Sequence, residues 1–256
     1  MGREAIPALG VGVCQIWWAD TSAALVPLLD LLDEGERGRH LRFLRAQDRA
    51  LFLIAHALTR ILAARHAGCE PGGLTFAPAT PGAKPRFAGP ASELELELSL
   101  SHSGRHAVVA LSRGVAIGVD VERVGPVREE ERSFVASVLT RSEQRTLALL
   151  GPSHRAWGFY RYWTRKEAVL KATGDGLAVS PKLIGVSAPT EPPLLTWWAG
   201  PRAPAQPFYL YDLDHGPRYP AALAAMGTPL EVTTHDGSAL LRAWSRAGVR
   251  AGRRGR

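Results

Sequence analysis

The sequence has 256 residues, of which 46% are hydrophobic, and this is enough for one large domain or two small ones with a real core. A formal net charge of +7 and an isoelectric point near 9.9 favour anionic partners without identifying them. No apolar run reaches the roughly 18 residues of a membrane helix and the N-terminus lacks a signal pattern, so we expect a soluble, cytoplasmic protein.

Two helices are predicted near the start of the chain. The first is capped by Asp20 or Thr21 and extends as far as Leu32, with Pro27 interrupting its pattern. The second covers residues 35–68, because its apolar residues recur with the helical period and Gly68 provides a suitable stop.

A β-hairpin is predicted after these helices. Residues 78–90 are rich in proline and glycine, which indicates a loop. Leucine then alternates with polar residues over 93–103, a pattern typical of a half-buried strand. A second strand over 106–112 is predicted to return beside the first.

The second half of the chain repeats this order of elements loosely. A strand over 115–122 is followed by helices over 128–150 and 155–173. Each half therefore offers a long helix beside a small antiparallel sheet, which predicts an α+β fold of two similar lobes. Shorter strand-like pieces lie near 182–187, 194–198 and 207–212.

The predicted boundary between the lobes lies near Ser112 to Gly114. We assign residues 1–113 to an N-terminal lobe and residues 114–245 to a C-terminal lobe that carries a metal site. The arginine-rich end, 246–256, has little to bury, so we expect a disordered basic tail.

Two acidic residues lie close together in GVAIGVDVERV. In a strand, Asp120 and Glu122 share one face, opposite the apolar residues. Like charges at this spacing repel, and a pair of carboxylates suits a hard dication such as Mg²⁺. The alternative is a solvated strand face that carries an unfavourable pair.

A helical stripe in WTRKEAVLKATGDGL favours the metal interpretation. Trp163, Glu167 and Lys171 stand at i, i+4 and i+8, so they share one face. The chain has only four lysines, and two of them fall in this segment. Glu167 could complete a metal site with the two strand acids, whereas the alternative is an ordinary Glu–Lys surface pair.

Further polar and basic residues have the chemistry of phosphate ligands. Ser101 and His102 fall in the LSHSG turn, whose hydroxyl, imidazole and amide groups suit phosphate oxygens. A catalytic Ser–His pair is disfavoured, because no G-x-S-x-G elbow is present. Arginine forks match phosphate geometry. The alternatives are an ordinary polar turn for Ser101 and His102 and a solvated helix face for the arginines. The arginines of the long helix include Arg42, Arg49 and Arg60.

Taken together and in this order, the motifs resemble the phosphopantetheinyl transferase superfamily. The most similar type is the large, monomeric, two-lobed one that activates the carrier proteins of peptide and polyketide synthases. The resemblance covers roughly residues 34–187, and GVDVE and WTRKEAVLK are its most specific parts. The matching segments are RFLRAQDR with LTRILAA, GAKPRF, LSHSG, GVDVERV, LTRSEQ and WTRKEAVLKATGDGL.

The resemblance implies two lobes related by a pseudo-twofold axis, with the site in the cleft between them. It also implies an enzyme that transfers the 4'-phosphopantetheine arm of coenzyme A to a serine of an apo acyl or peptidyl carrier protein. Adenosine 3',5'-bisphosphate would be released. A catalytically silent coenzyme A-binding module and a nucleic-acid-binding protein are the alternatives, and no nucleic-acid-binding signature supports the second.

The resemblance also implies roles for individual residues. Asp120, Glu122 and Glu167 would hold Mg²⁺, for which Mn²⁺ could substitute. Lys171 would lie beside the pyrophosphate, and Glu167 or Glu143 would take the proton of the serine. The residues expected to contact the phosphates of coenzyme A are Ser101, His102, Lys84, Arg42, Arg49 and Arg60.

Overall fold

The structure is a computed structural model that describes residues 6–77, 86–88, 93–125, 132–174, 179–201 and 203–254. Within these ranges the chain forms a mixed α+β fold of eleven strands and six helices. The strands are β1 (Val13–Asp20), β2 (Thr75–Ala77), β3 (Arg86–Ala88), β4 (Leu96–Ser103), β5 (His106–Arg113), β6 (Ile117–Val121), β7 (Ile184–Val186), β8 (Leu195–Trp198), β9 (Phe208–Leu213), β10 (Ala221–Met226) and β11 (Glu231–Asp236). The helices are α1 (Glu34–Arg42), α2 (Ala46–Ala67), α3 (Arg132–Val138), α4 (Arg141–Leu149), α5 (Pro152–Thr173) and α6 (Gly237–Arg254).

The contacts divide the chain into two compact units. The first unit combines the described residues before 115 with those from 231 onward. The second unit contains the described residues of 115–230. The α+β class is therefore confirmed, and each unit contains one 22-residue helix, α2 in the first and α5 in the second.

In the first unit, α2 packs against a four-stranded sheet with the order β11-β1-β5-β4. The predicted hairpin is confirmed, since β4 pairs with β5 in antiparallel register, with Leu98 opposite Leu111. The predicted stop at Gly68 is also confirmed, because this glycine ends α2 with a left-handed φ of 64°. The apolar positions that predicted the helix, Leu51, Ile54, Leu58, Ile61 and Leu62, are all buried.

Both predicted N-terminal helices differ in detail from the structure. Residues Thr21–Ala23 and Val26–Leu31 form two short 3₁₀ turns instead of one helix through Leu32, because the proline in the second turn interrupts the helical ladder. The long predicted helix is broken into α1 and α2. Asp33 starts α1 through a capping box with Glu36, which fixes the beginning of this shorter helix.

Residues from 231 onward belong to the first unit. The predicted C-terminal lobe, by contrast, extended to residue 245. Strand β11 pairs in parallel with β1 along its whole length, from Val13 opposite Glu231 to Trp18 opposite Asp236. The sheet is therefore mixed rather than antiparallel. Helix α6 follows and buries Leu240 and Leu241 in the same core. It continues through Arg254, so a helix occupies most of the segment that was predicted to be a disordered tail, 246–256.

Helix α2 is the one helix in the described ranges that could cross a membrane by length and composition. Its most apolar window is 72% buried within the protein. The core helix of a soluble protein passes the same test, so this is weak evidence for a membrane span.

In the second unit, α5 packs against a three-stranded antiparallel sheet with the order β6-β10-β9. The helical region predicted around 128–150 contains α3 and α4 in its described part, from residue 132 onward, because Thr140 caps a new helix through Glu143. The strand-like pieces are confirmed as β7, β8 and β9. Strand β10 was not predicted, since its alanine-rich sequence lacks the β-branched residues typical of strands.

Gly118 lets β6 and α5 approach each other closely. A Cβ atom built at this residue would lie 2.0 Å from the carbonyl oxygen of Ala168 and 2.5 Å from the backbone nitrogen of Ala172. Both atoms belong to the backbone of α5, so they cannot relieve the clash by a change of side-chain rotamer. The absence of a side chain at residue 118 therefore sets the spacing between this strand and this helix.

We expect Gly118→Ala to lower the free energy of unfolding by about 3 kcal/mol, because the added methyl group must push α5 away from the sheet. Urea unfolding followed by circular dichroism measures this change. Gly38→Ala is the matched control, since its Cβ would meet nothing within 4 Å on α1. The control should be as stable as the unchanged protein or slightly more so. Equal stabilities for the two variants would contradict the close-packing argument.

Candidate active site

The site is built where β6 lies against α5. Asp120 is the fourth of the five residues of β6 and is only 4% exposed. Its Oδ1 accepts a hydrogen bond from Nζ of Lys171 on α5, at 2.7 Å. The same ammonium donates to the carbonyl oxygen of Val119 at 3.0 Å. A buried carboxylate is thus paired with a lysine that reaches it from the neighbouring helix.

The second strand acid, Glu122, lies just beyond the end of β6. The indole Nε1 of Trp163 donates a hydrogen bond to Oε1 of Glu122 at 3.2 Å. The predicted stripe on α5 is therefore confirmed as a face directed at this strand. Trp163 donates a hydrogen bond to Glu122, and Lys171 donates one to Asp120. Sequence reasoning had given Trp163 no role of its own, although its spacing from Glu167 placed it on this face.

Glu167 lies between these two contacts on α5. Its Oε1 is buried and has no hydrogen-bond partner. Burial, together with the negative charges of Asp120 and Glu122 and against the opposing effect of Lys171, raises the pKa of Glu167 to about 7. A buried carboxylate oxygen without a donor is costly, and it indicates a positive partner that the described residues do not supply.

The three carboxylates fit a hard divalent cation by their chemistry, since oxygen ligands are those that Mg²⁺ takes. Their mutual effect on the pKa of Glu167 shows that they lie within electrostatic reach of one another. In the part of the chain that the structure describes, however, no group of three acidic, histidine or cysteine side chains is arranged to hold a metal ion. The metal assignment of Asp120, Glu122 and Glu167 therefore stays a prediction.

Glu143 does not join this cluster, which corrects the prediction that it could act as the base. It is 4% exposed, and its Oε2 forms an ion pair with Nζ of Lys166 at 2.6 Å. Its two carboxylate oxygens also accept hydrogen bonds from the backbone nitrogens of Thr140 and Val186, at 2.7 and 3.0 Å. A carboxylate held in this way ties α4 to α5 and β7 and cannot reach a substrate hydroxyl.

Lys166, the other lysine of the helical motif, is completely buried. Beyond its ion pair with Glu143, its ammonium donates to the carbonyl oxygens of Val138, Pro181 and Ile184 at 2.7 to 3.0 Å. Burial lowers the pKa of Lys166, and Glu143 opposes this effect. The two lysines of one motif thus face opposite sides of α5, one structural and one at the site.

Arg60 is also structural, which corrects its prediction as a phosphate ligand. Its side chain is fully buried, and its Nε donates to Oε2 of Glu36 at 2.6 Å. A second nitrogen forms an ion pair with Asp33. The third donates to the carbonyl oxygens of Pro71 and Leu74, at 3.2 and 2.9 Å. This arginine anchors α1 to α2, so no fork is left for a ligand.

The remaining predicted phosphate ligands lie in the first unit or outside the described residues. Arg42 is exposed, and Arg49 donates to the carbonyl oxygen of Phe43 at 2.9 Å. Ser101 is buried and His102 is exposed near the end of β4. Lys84 lies outside the residues that the structure describes. The role of these residues stays a prediction.

Comparison with known proteins gives consistent matches. Residues 116–224 match the family model of the 4'-phosphopantetheinyl transferase superfamily. The 4'-phosphopantetheinyl transferase HetI of Nostoc sp. is 34% identical over 168 residues, which cover 66% of this chain and 70% of that protein. A putative 4'-phosphopantetheinyl transferase of Synechocystis sp. is 33% identical over 165 residues, which cover 64% of this chain and 66% of that protein.

A solved structure is similar at a greater distance. It is a holo-(acyl-carrier-protein) synthase from Bacillus anthracis in complex with CoA (3',5'-ADP). Its sequence is 22% identical, the match covers 44% of this chain and 97% of that chain, and the TM-score is 0.37. This likeness is too weak to support an argument about the site.

Proposed function

The chain belongs to the 4'-phosphopantetheinyl transferase superfamily and is a phosphopantetheinyl transferase, and we propose that coenzyme A is its donor and a carrier-protein serine its acceptor. Transfer of the 4'-phosphopantetheine arm would release adenosine 3',5'-bisphosphate. The sequence motifs and the names of the relatives support this proposal. We further propose a cytoplasmic monomer whose two lobes are related by a pseudo-twofold axis, and an acyl or peptidyl carrier protein as partner.

We propose that Asp120, Glu122 and Glu167 hold a Mg²⁺ ion, for which Mn²⁺ could substitute. The buried, unpartnered Oε1 of Glu167 is the single observation that carries this assignment. When bound, the dication would neutralise negative charge on the phosphate oxygens of coenzyme A.

Glu167 and Lys171 have separate roles in the proposed transfer step. The serine oxygen forms a bond to the pantetheine-side phosphorus, and the bond from this phosphorus to the bridging oxygen of the diphosphate breaks. Glu167 takes the proton of the serine as general base. The ammonium of Lys171 stabilises the negative charge on the departing bisphosphate.

The remaining phosphate contacts of coenzyme A are proposed for residues of the first unit and for Lys84, which lies outside the described residues. Arg42, Arg49, Ser101, His102 and Lys84 keep this role as predictions. A net charge of +7 is consistent with an anionic substrate of this size.

Mass spectrometry of apo carrier proteins tests the proposed reaction. After incubation with the enzyme, coenzyme A and Mg²⁺, we expect the mass of a carrier protein to increase by one phosphopantetheine group. A chelator should prevent the increase, and a carrier protein whose acceptor serine is replaced by alanine should remain unmodified. Binding of coenzyme A without modification of any carrier protein would favour the silent binding module instead.

A further inference from the structure

The ammonium of Lys171 forms an ion pair with one of the carboxylates of the candidate site. It is 2.7 Å from Oδ1 of Asp120, a carboxylate that the proposed function assigns to the metal. Asp120 is almost fully buried, whereas the side chain of Lys171 is 26% exposed. The lysine therefore keeps contact with solvent while it pairs with the buried carboxylate.

We propose that Lys171 is an internal counter-ion which a divalent cation displaces from Asp120, so that metal binding releases the ammonium to a phosphate group of coenzyme A. This inference rests on the proposed metal site. It gives Lys171 a second role, neutralising Asp120 before the metal binds, in addition to stabilising the departing bisphosphate. Two cations that share one buried carboxylate repel each other strongly, so the ion and the ammonium compete for Asp120.

The side chain of Lys171 is suited to such a movement. Lysine carries a point charge on a flexible four-carbon stem, and the ammonium of Lys171 donates to Asp120 and to the carbonyl oxygen of Val119 on β6. Lys166, five residues earlier on α5, provides the contrast. It is completely buried and held by four oxygen acceptors, so it cannot leave its place.

Displacement couples the two ligands. On this proposal, metal binding without coenzyme A breaks the Lys171–Asp120 pair and leaves the ammonium without its carboxylate. The diphosphate of coenzyme A then supplies a new anionic partner for this ammonium. Each ligand therefore strengthens the binding of the other, and by linkage the factor is the same in both directions.

Lysine-selective NMR observes the displacement directly, because the chain has only four lysines. The protein is prepared with labelled lysine side chains, and the Lys171 signal is the one lost in Lys171→Met. We expect addition of MgCl₂ without coenzyme A to shift the side-chain signal of Lys171, while the Lys166 signal stays in place. A Lys171 signal that does not move when Mg²⁺ saturates the protein would overturn the inference.

Calorimetric titration with MgCl₂ measures the competition. In the absence of coenzyme A, we expect Lys171→Met to bind Mg²⁺ at least about 5-fold more tightly than the unchanged protein, in the range of typical coupling factors. Coenzyme A should then strengthen Mg²⁺ binding in the unchanged protein and much less in the variant. Lys182→Met removes an exposed lysine of the same unit and should change neither value.

The outcomes separate this inference from the proposed function. Equal Mg²⁺ affinities for Lys171→Met and the unchanged protein overturn the inference and leave the metal site standing. Absence of Mg²⁺ binding in all proteins overturns both. If Lys171→Met does not fold, Lys171→Gln replaces it in both experiments, since glutamine keeps a polar group near the strand.

Discussion

Turnover of the carrier protein is expected to fall by about 10²- to 10³-fold when Glu167 is replaced by glutamine, a loss typical of removing one preorganised charge-stabilising group. Glutamine has nearly the same size and shape, so packing between α5 and β6 is preserved. It can neither take the proton of the serine nor supply an anionic ligand. Mass-spectrometric rates of modification at saturating coenzyme A measure the effect.

Stability separates a functional role of Glu167 from a structural one. Because Asp120 and Glu122 repel its charge and raise its pKa, the neutral amide should leave the melting temperature unchanged or raise it. Glu70→Gln changes an exposed glutamate of the first unit and should affect neither rate nor melting temperature. A Glu167→Gln enzyme that is both less stable and fully active would contradict the proposed site.

The central part of this site could be predicted from the sequence because its geometry follows from local periods. Strand alternation placed Asp120 and Glu122 on one face, and helical spacing placed Trp163, Glu167 and Lys171 on one stripe. The structure brings the first and last residues of this stripe to the two strand acids. Each pattern spans fewer than about ten residues, a range in which backbone geometry alone fixes the relation between side chains.

The roles of Glu143, Arg60 and Lys166 could not be predicted in this way. Each is a charged residue whose partner lies far along the chain, as Glu36 does for Arg60 and Glu143 does for Lys166. The sequence shows the charge but not the burial, and a motif match to a phosphate-binding family makes a ligand role the natural interpretation. Only tertiary packing distinguishes a fully buried ion pair from an exposed one.

Long-range pairing also explains the error in the domain boundary. Val13 pairs with Glu231 across more than two hundred residues of chain, and no local pattern indicates such a partner. Leu240 and Leu241 precede the arginine-rich segment 246–256, which has the composition of a solvated tail. Once β11 lies beside β1, however, these leucines reach the core around α2 and the helix becomes part of the first unit.

The buried pair between Glu143 and Lys166 leads to the second large effect. Glu143→Gln leaves a fully buried ammonium without its counter-charge, and breaking a pair of this kind costs about 3–5 kcal/mol of unfolding free energy. Urea unfolding below room temperature measures the loss. Lys166→Met should be similarly destabilising, because it leaves the buried carboxylate of Glu143 uncompensated.

The double variant Glu143→Gln/Lys166→Met provides the control for this pair. With both charges removed, its loss of stability should be smaller than the sum of the two single losses, because neither residue is left as an isolated buried charge.

Turnover is then measured at a temperature at which each variant is folded. If the pair only holds α4, α5 and β7 together, turnover per folded molecule should stay within a few-fold of the unchanged enzyme. A folded Glu143→Gln enzyme with turnover reduced as severely as in Glu167→Gln would instead return Glu143 to the reaction as a base, against the hydrogen bonds that now hold both of its oxygens.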